Sequence, residues 1–128
     1  MKQSFTIPGR LAGYNDYIKA AHSAWARSNL KQEQEAIVKK AAEAAGIKPA
    51  KAPVEVHITY YEGKTSPRQR VRDLDNVVGG GNKFILDALV SMGIIENDDP
   101  EHVSGLFVKG FKATGEPRIV VAIEEIGA

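Results

Sequence analysis

The sequence predicts an α+β fold: a small mixed β-sheet with two or three helices packed on it. Three observations lead there. Strand-like and helix-like segments follow one another as strand, helix, strand, helix, strand, strand. The stretch 53–61 alternates cleanly, with Val54, Val56, Ile58 and Tyr60 on one face and Glu55, His57, Thr59 and Tyr61 on the other. The chain has 128 residues, enough for one domain over 1–128, and no repeat or low-complexity tract divides it. A domain of this size buries roughly two thirds of its unfolded surface and folds without covalent staples.

The elements follow in order. Residues 3–7 alternate weakly and read as a short strand that ends at Pro8-Gly9. Asn15 or Asp16 is an N-cap for helical composition running to about Ala45, with Gly46 as stop signal and Asn29 as a point where it divides. Tyr17, Ile18, Ala21, Trp25, Ile37, Ala41 and Ala44 form its expected buried stripe. A strand follows over 53–61. The run Gly79-Gly80-Gly81 reads as part of a loop, and a second helix is expected from about Asn82 to Met92, with Ile85, Leu86, Leu89 and Met92 inward. Residues 103–111 and 118–125 read as strands joined through Thr114-Gly115-Glu116-Pro117, a hairpin signal.

Composition narrows the chemistry. With no cysteine, disulfides, thiolate metal sites and a cysteine nucleophile are excluded, and the chain suits a reducing compartment. No secretory signal or membrane-length apolar run appears, so the expectation is a cytoplasmic protein without a membrane anchor. The net charge of +1 is uninformative, but its distribution is not. Lys64, Arg68, Arg70 and Arg72 occur with no acid among them, and Asp73-Leu74-Asp75 follows directly. Acids gather again at Glu96, Asp98, Asp99 and Glu101. A phosphate backbone is drawn to the first group and a divalent cation to the others.

An extended stretch would project Asp73 and Asp75 from one face. Two carboxylates ~4 Å apart repel by about 4 kcal/mol at an effective dielectric of ~20, so a cluster that includes Asp98 needs a partner, either basic residues or a bound cation. Magnesium takes carboxylate, water and phosphate oxygens. It also supplies what arginines cannot, a nucleophile from water at neutral pH. Lys83, in the first turn of the expected second helix, opposes the helix dipole there. It either pairs with Asp87 one turn on or reaches the acidic cluster to neutralise a phosphate.

Plainer readings stand beside these. Asp-Leu-Asp and Asp98-Asp99-Pro100 are common in surface turns, and a basic run is usually a solvated face. His22, His57 and His102 are more often structural than ligands, with His102 the one placed near acids; Trp25 is read as core. A calcium loop starting at Asp73 fails at Val77, Val78 and Phe84. Gly79 to Phe84 lacks the glycine before the lysine and the hydroxyl after it that a phosphate loop requires.

The segment Arg72-Asp73-Leu74-Asp75-Asn76, then Lys83-Phe84-Ile85-Leu86-Asp87-Ala88-Leu89 and Gly93-Ile94-Ile95-Glu96-Asn97-Asp98, resembles the RusA family of Holliday-junction resolvases. Ile7-Pro8-Gly9-Arg10 and Tyr14-Asn15-Asp16-Tyr17 resemble that family's start. The resemblance implies a homodimeric endonuclease that needs Mg2+, with Mn2+ as substitute, and makes paired symmetric cuts in four-way branched DNA. It implies Asp73, Asp75 and Asp98 as metal ligands, with Asp99 the alternative third acid, and Lys83 as the phosphate-stabilising cation. Arg68, Arg70 and Arg72, with Lys64 and Arg10, are the expected DNA contacts. Val77 to Gly81, between the Asp-Asn pair and the expected helix, depart from many members. Two other readings remain: a catalytically inactive junction-binding protein of prophage origin, and a protein whose acids hold a structural metal.

Overall fold

The computed structural model describes residues 1–63, 72–112 and 115–127. The elements are β1 (Lys2–Pro8), α1 (Tyr14–Ala20), α2 (Ala24–Ala44), β2 (Val54–Tyr61), α3 (Leu74–Ser91), β3 (Val103–Phe111) and β4 (Arg118–Glu125). This is the α+β architecture expected: a four-stranded mixed sheet, ordered β1-β4-β2-β3, with three helices packed on it. No described helix is long and apolar enough to cross a membrane.

Alternation in β2 dictates its position. Val54, Val56, Ile58 and Tyr60 are buried beneath the helices, while Glu55, His57, Thr59 and Tyr61 lie half-buried on the opposite face. β2 pairs parallel with β3, through the α3 crossover, and antiparallel with β4. The expected hairpin between β3 and β4 therefore does not form, because β2 lies between them. Burial gives the reason. β4 brings Ile119, Val121 and Ile123 to the core and takes an interior place. β3, with Ser104, Gly105, Lys109 and Gly110, is largely exposed and suits an edge.

The N-terminal helical region breaks at 21–23, ahead of Asn29. Ser23 caps α2, its Oγ accepting from the Ala26 amide at 3.0 Å. The break resets the helical phase, so the expected stripe does not continue across it. Val38, Ala42 and Glu35 are the buried residues of α2, whereas Trp25 is 77 % exposed and Ile18 51 % exposed. Trp25 is thus a surface residue and not core. Asn29 lies inside α2, where its Nδ2 donates to Glu33.

The largest difference from expectation lies in α3. It begins eight residues early, and Gly79, Gly80 and Gly81 fall within it. Glycine weakens a helix by about 1 kcal/mol per residue relative to alanine, which is why the triplet reads as a loop. Packing overrides propensity here. A Cβ on Gly80 would collide with the Ala12 carbonyl and the Gly13 backbone, and one on Gly81 with the Tyr60 ring. A Cβ on Gly79 would stand 3.1 Å from that of Tyr14. The helix lies backbone against backbone on residues 12–13, a distance that side chains would prevent. Further along, Phe84, Ile85, Ala88 and Leu89 fill the core.

Gly80→Ala therefore separates the two roles of the triplet. At an ordinary helical site it would stabilise the protein by up to about 1 kcal/mol. Here overpacking should destabilise it by about 1–3 kcal/mol, measured by urea unfolding. A stabilised variant would mean that the close approach is not required.

Candidate functional site

Asp73 and Asp75 occupy one turn at the N-terminus of α3. Asp73 is the N-cap residue in extended conformation (φ −64°, ψ 144°) and makes no side-chain cap bond. Asp75 lies in the first helical turn, with its Oδ1 accepting from the Asn76 amide at 2.9 Å. Both are exposed. The helix dipole favours each carboxylate there by about 0.3–1 kcal/mol. Asn76 turns inward, and its Oδ1 accepts from the Asn15 amide at 2.8 Å, which ties this turn to the start of α1.

A buried ion cluster holds the same turn from the other side. Glu62, 8 % exposed just past β2, accepts from Arg72 Nε at 2.8 Å and Nη2 at 3.0 Å. Arg72 Nη1 also donates to the Leu11 carbonyl at 2.8 Å. Arg10 donates to the Gly63 carbonyl, with its Nε 3.7 Å from Glu62. Arg72 and Arg10, both expected DNA contacts, are thus engaged inside the fold. Of the remaining expected contacts, Lys64, Arg68 and Arg70 lie outside the described residues. Tyr60 lies against this cluster and donates to Asn82 Oδ1 at 2.6 Å. Burial, and then the Glu62 carboxylate, push its phenol well above its ordinary range, against a smaller opposing effect of Arg72.

Lys83 and Asp98 belong to a different region. Lys83 lies in the third turn of α3, beyond reach of the N-terminal dipole that the expected helix start implied. Its Nζ is 3.5 Å from Asp87, the plainer of the two pairings expected, and 5.4 Å from the Tyr17 ring centroid. Asp87 also meets Lys31 at 3.6 Å, and Lys31 meets the buried Glu35 at the same distance. Asp98 lines a depression with Lys31, Glu35, Asp87 and Ser91, past the C-terminal end of α3. An 18-residue helix is about 27 Å long, so Asp73 and Asp75 stand at one end of α3 and Asp98 at the other.

Geometry also separates Asp98 from Asp99. Asp99 organises its own turn, accepting from the Glu101 and His102 amides, from Asn97 Nδ2 at 3.0 Å and from His102 Nδ1 at 2.6 Å. Among the described residues, no hydrogen bond or ion pair engages the Asp98 carboxylate. The hydrogen bond to Asp99 raises the His102 pKa above its ordinary 6.5, helped by the charges of Asp99, Glu96 and Glu101 and opposed by desolvation. The same bond lowers Asp99 below 3.8.

The sheet face opposite the helices carries a second constellation, which sequence reading missed. Glu55, His57 and Glu124 are the potential ligands that converge among the described residues, each offering one atom within 4.8 Å of the others. That Glu55 and His57 share a face is legible from alternation. That Glu124 stands directly across from Glu55 depends on the β2–β4 register. Glu62 was likewise missed, because nothing local marks it as the partner of Arg72.

The Asp99–His102 pair yields a pH prediction. A raised histidine contributes stability that is complete below 6.5 and fades as pH rises through its folded value; a lowered aspartate contributes stability that is complete above 3.8 and fades as pH falls. The pair should therefore support the 97–103 turn best between those limits. Asp99→Asn should lower the His102 pKa in an NMR titration, and an unchanged His102 would contradict the assignment.

Comparison with curated proteins gave no match. The family model described as Endodeoxyribonuclease RusA matches residues 5–124. That span contains the α3 N-terminal turn, the Glu62–Arg72 cluster and the Asp98 turn within one continuous fold. The chain belongs to the RusA endodeoxyribonuclease family, a family of Holliday-junction resolvases, and its class is that of a nuclease.

Proposed function

We propose that the protein is a magnesium-dependent, structure-selective endodeoxyribonuclease that resolves four-way DNA junctions by paired symmetric cuts. The observation that carries this reading is the pair of exposed carboxylates, Asp73 and Asp75, on the first turn of α3 and beside the expected basic loop. A hard cation held by one or two carboxylates, with substrate phosphate and water completing its shell, is the ordinary mode for magnesium. The donor set fits, since both residues offer oxygen and, among the described residues, neither carboxylate makes an ion pair. Mn2+ would substitute on the same ligands. When bound, such an ion supplies positive charge against the phosphodiester oxygens and acidifies water at neutral pH.

The chain's own residues do the rest. Arg72, clamped on Glu62 and Leu11, fixes where Asp73 emerges and limits the orientations of the turn. Lys64, Arg68 and Arg70 would track phosphates, giving binding that weakens steeply with salt. Lys83 would neutralise phosphate charge by leaving Asp87, and a partly exposed ion pair is worth only about 0–1 kcal/mol, so the exchange is cheap. Asp98 can join an ion held by Asp73 and Asp75 only from a second protomer, because α3 separates them within one chain. A two-fold homodimer is also what two symmetric cuts in a two-fold substrate require.

The test is cleavage of a labelled four-way junction in Mg2+. Asp75→Asn should bind the junction and fail to cut it, losing more than the roughly 10–100-fold typical for groups that only support a metal ligand. Junction binding by the wild type without cutting in Mg2+ or Mn2+ would replace this reading with that of a binding-only protein. Mixing Asp75→Asn with Asp98→Asn protomers should restore single nicks if Asp98 acts across the dimer, whereas full activity of Asp98→Asn alone would remove it from the site.

A further inference from the structure

We propose that Glu55, His57 and Glu124 form a binding site for a transition-metal dication of the zinc class, separate from the carboxylates of α3. The site lies on the open face of the sheet, away from the helices, and rests on none of the catalytic assignments above.

Sheet register builds it. Glu55 and Glu124 are direct cross-strand partners between β2 and β4. His57 lies two residues beyond Glu55 on the same strand face. Like charges placed directly opposite one another destabilise a sheet, and a bound cation would relieve that repulsion. Among the described residues, neither glutamate makes an ion pair with Lys or Arg; Glu55 meets His57. Lys2 is the β1 register neighbour of Glu124, yet it makes no ion pair with it.

The distances suit a small ion. Two ligands bound at about 2.0–2.1 Å on neighbouring corners of a tetrahedron stand about 3.3 Å apart. His57 Nε2 and Glu55 Oε1 are already 3.2 Å apart. Glu124 falls inside the 4.8 Å span, a gap that rotation about its own side-chain bonds can close. The His57 ring is stacked on Phe107, with centroids 4.6 Å apart and planes 11° from parallel, which fixes the plane in which Nε2 points. Fixing ring orientation is the usual work of the groups that surround a metal-bound histidine.

The donor set selects the metal. Imidazole with carboxylates suits zinc and its first-row neighbours, whereas magnesium prefers oxygen alone. Three protein ligands leave one tetrahedral position for water. The site is thus distinguishable in chemistry, as well as place, from one that holds magnesium at Asp73 and Asp75.

The experiment is calorimetric titration of the full chain with Zn2+ at neutral pH in excess Mg2+, with Co2+ absorption to report coordination number. The expected result is one zinc per chain, undisturbed by magnesium. His57→Gln and Glu124→Gln should each weaken binding at least about tenfold, the low end for groups that tune a metal site. Circular dichroism checks that both variants fold. Asp75→Asn and His102→Gln should bind zinc as the wild type does. Absence of zinc binding, displacement by magnesium, unchanged affinity in both variants, or loss on His102→Gln would overturn the proposal.

Discussion

Much of this structure depends on one close approach, that of the α3 backbone to residues 12–13 at Gly80. It sets the height of α3 above the sheet, and several contacts follow from that height. Asn76 can accept from the Asn15 amide only if the first turn of α3 meets the start of α1. Tyr60 can donate to Asn82 only if Gly81 leaves room for its ring. Arg72, immediately before the helix, reaches both Glu62 and Leu11 because the helix start is held near the end of β2. Three glycines weaken the helix by roughly 3 kcal/mol in propensity. Core contacts of Phe84, Ile85, Ala88 and Leu89 offset that loss, since each large apolar side chain fully buried contributes about 1.5–3 kcal/mol.

The consequence for function is a separation of charges. Among the described residues, the acids singled out along the sequence sort into two groups at opposite ends of α3. At the N-terminal end, Asp73 and Asp75 face solvent while Arg72 and Arg10 are drawn inward to Glu62. At the C-terminal end, the Asp98 carboxylate makes no hydrogen bond or ion pair among the described residues, and Asp99 holds its own turn together through His102. Two exposed carboxylates beside guanidiniums engaged by Glu62 form the place where, in the proposed function, a hard cation and a phosphate meet. The family to which the chain belongs is a nuclease family, and this end of α3 is where the proposed chemistry has its ligands.

Strand positions were legible in the sequence because alternation is a local signal. β2 and β4 begin and end within a residue of expectation, and β3 matches it. Their neighbours were not legible. Pairing β3 with β4 follows from sequence adjacency, whereas the observed order follows from which strands bring apolar residues to both neighbours. The glycine triplet was misread for a similar reason: propensity is local, and the backbone of residues 12–13 is distant in sequence. Trp25 was misassigned because the three-residue break at 21–23 rotates the helical phase. Of the candidate site, the Asp-Leu-Asp motif was legible, and the pairing of Lys83 with Asp87 was one of the two alternatives read for that lysine. The distance between Asp75 and Asp98 was not, since it depends on α3 starting at Leu74 and not near Asn82.

The central claim is that the first turn of α3 holds the divalent cation through Asp73 and Asp75. Amide chemical shifts of the isotope-labelled protein, followed through a magnesium titration without DNA, test it most directly. The account predicts saturable shifts centred on residues 73–76, absent in Asp75→Asn and small at 97–102. Saturable shifts centred on the Asp98 turn, with residues 73–76 unmoved, would contradict it.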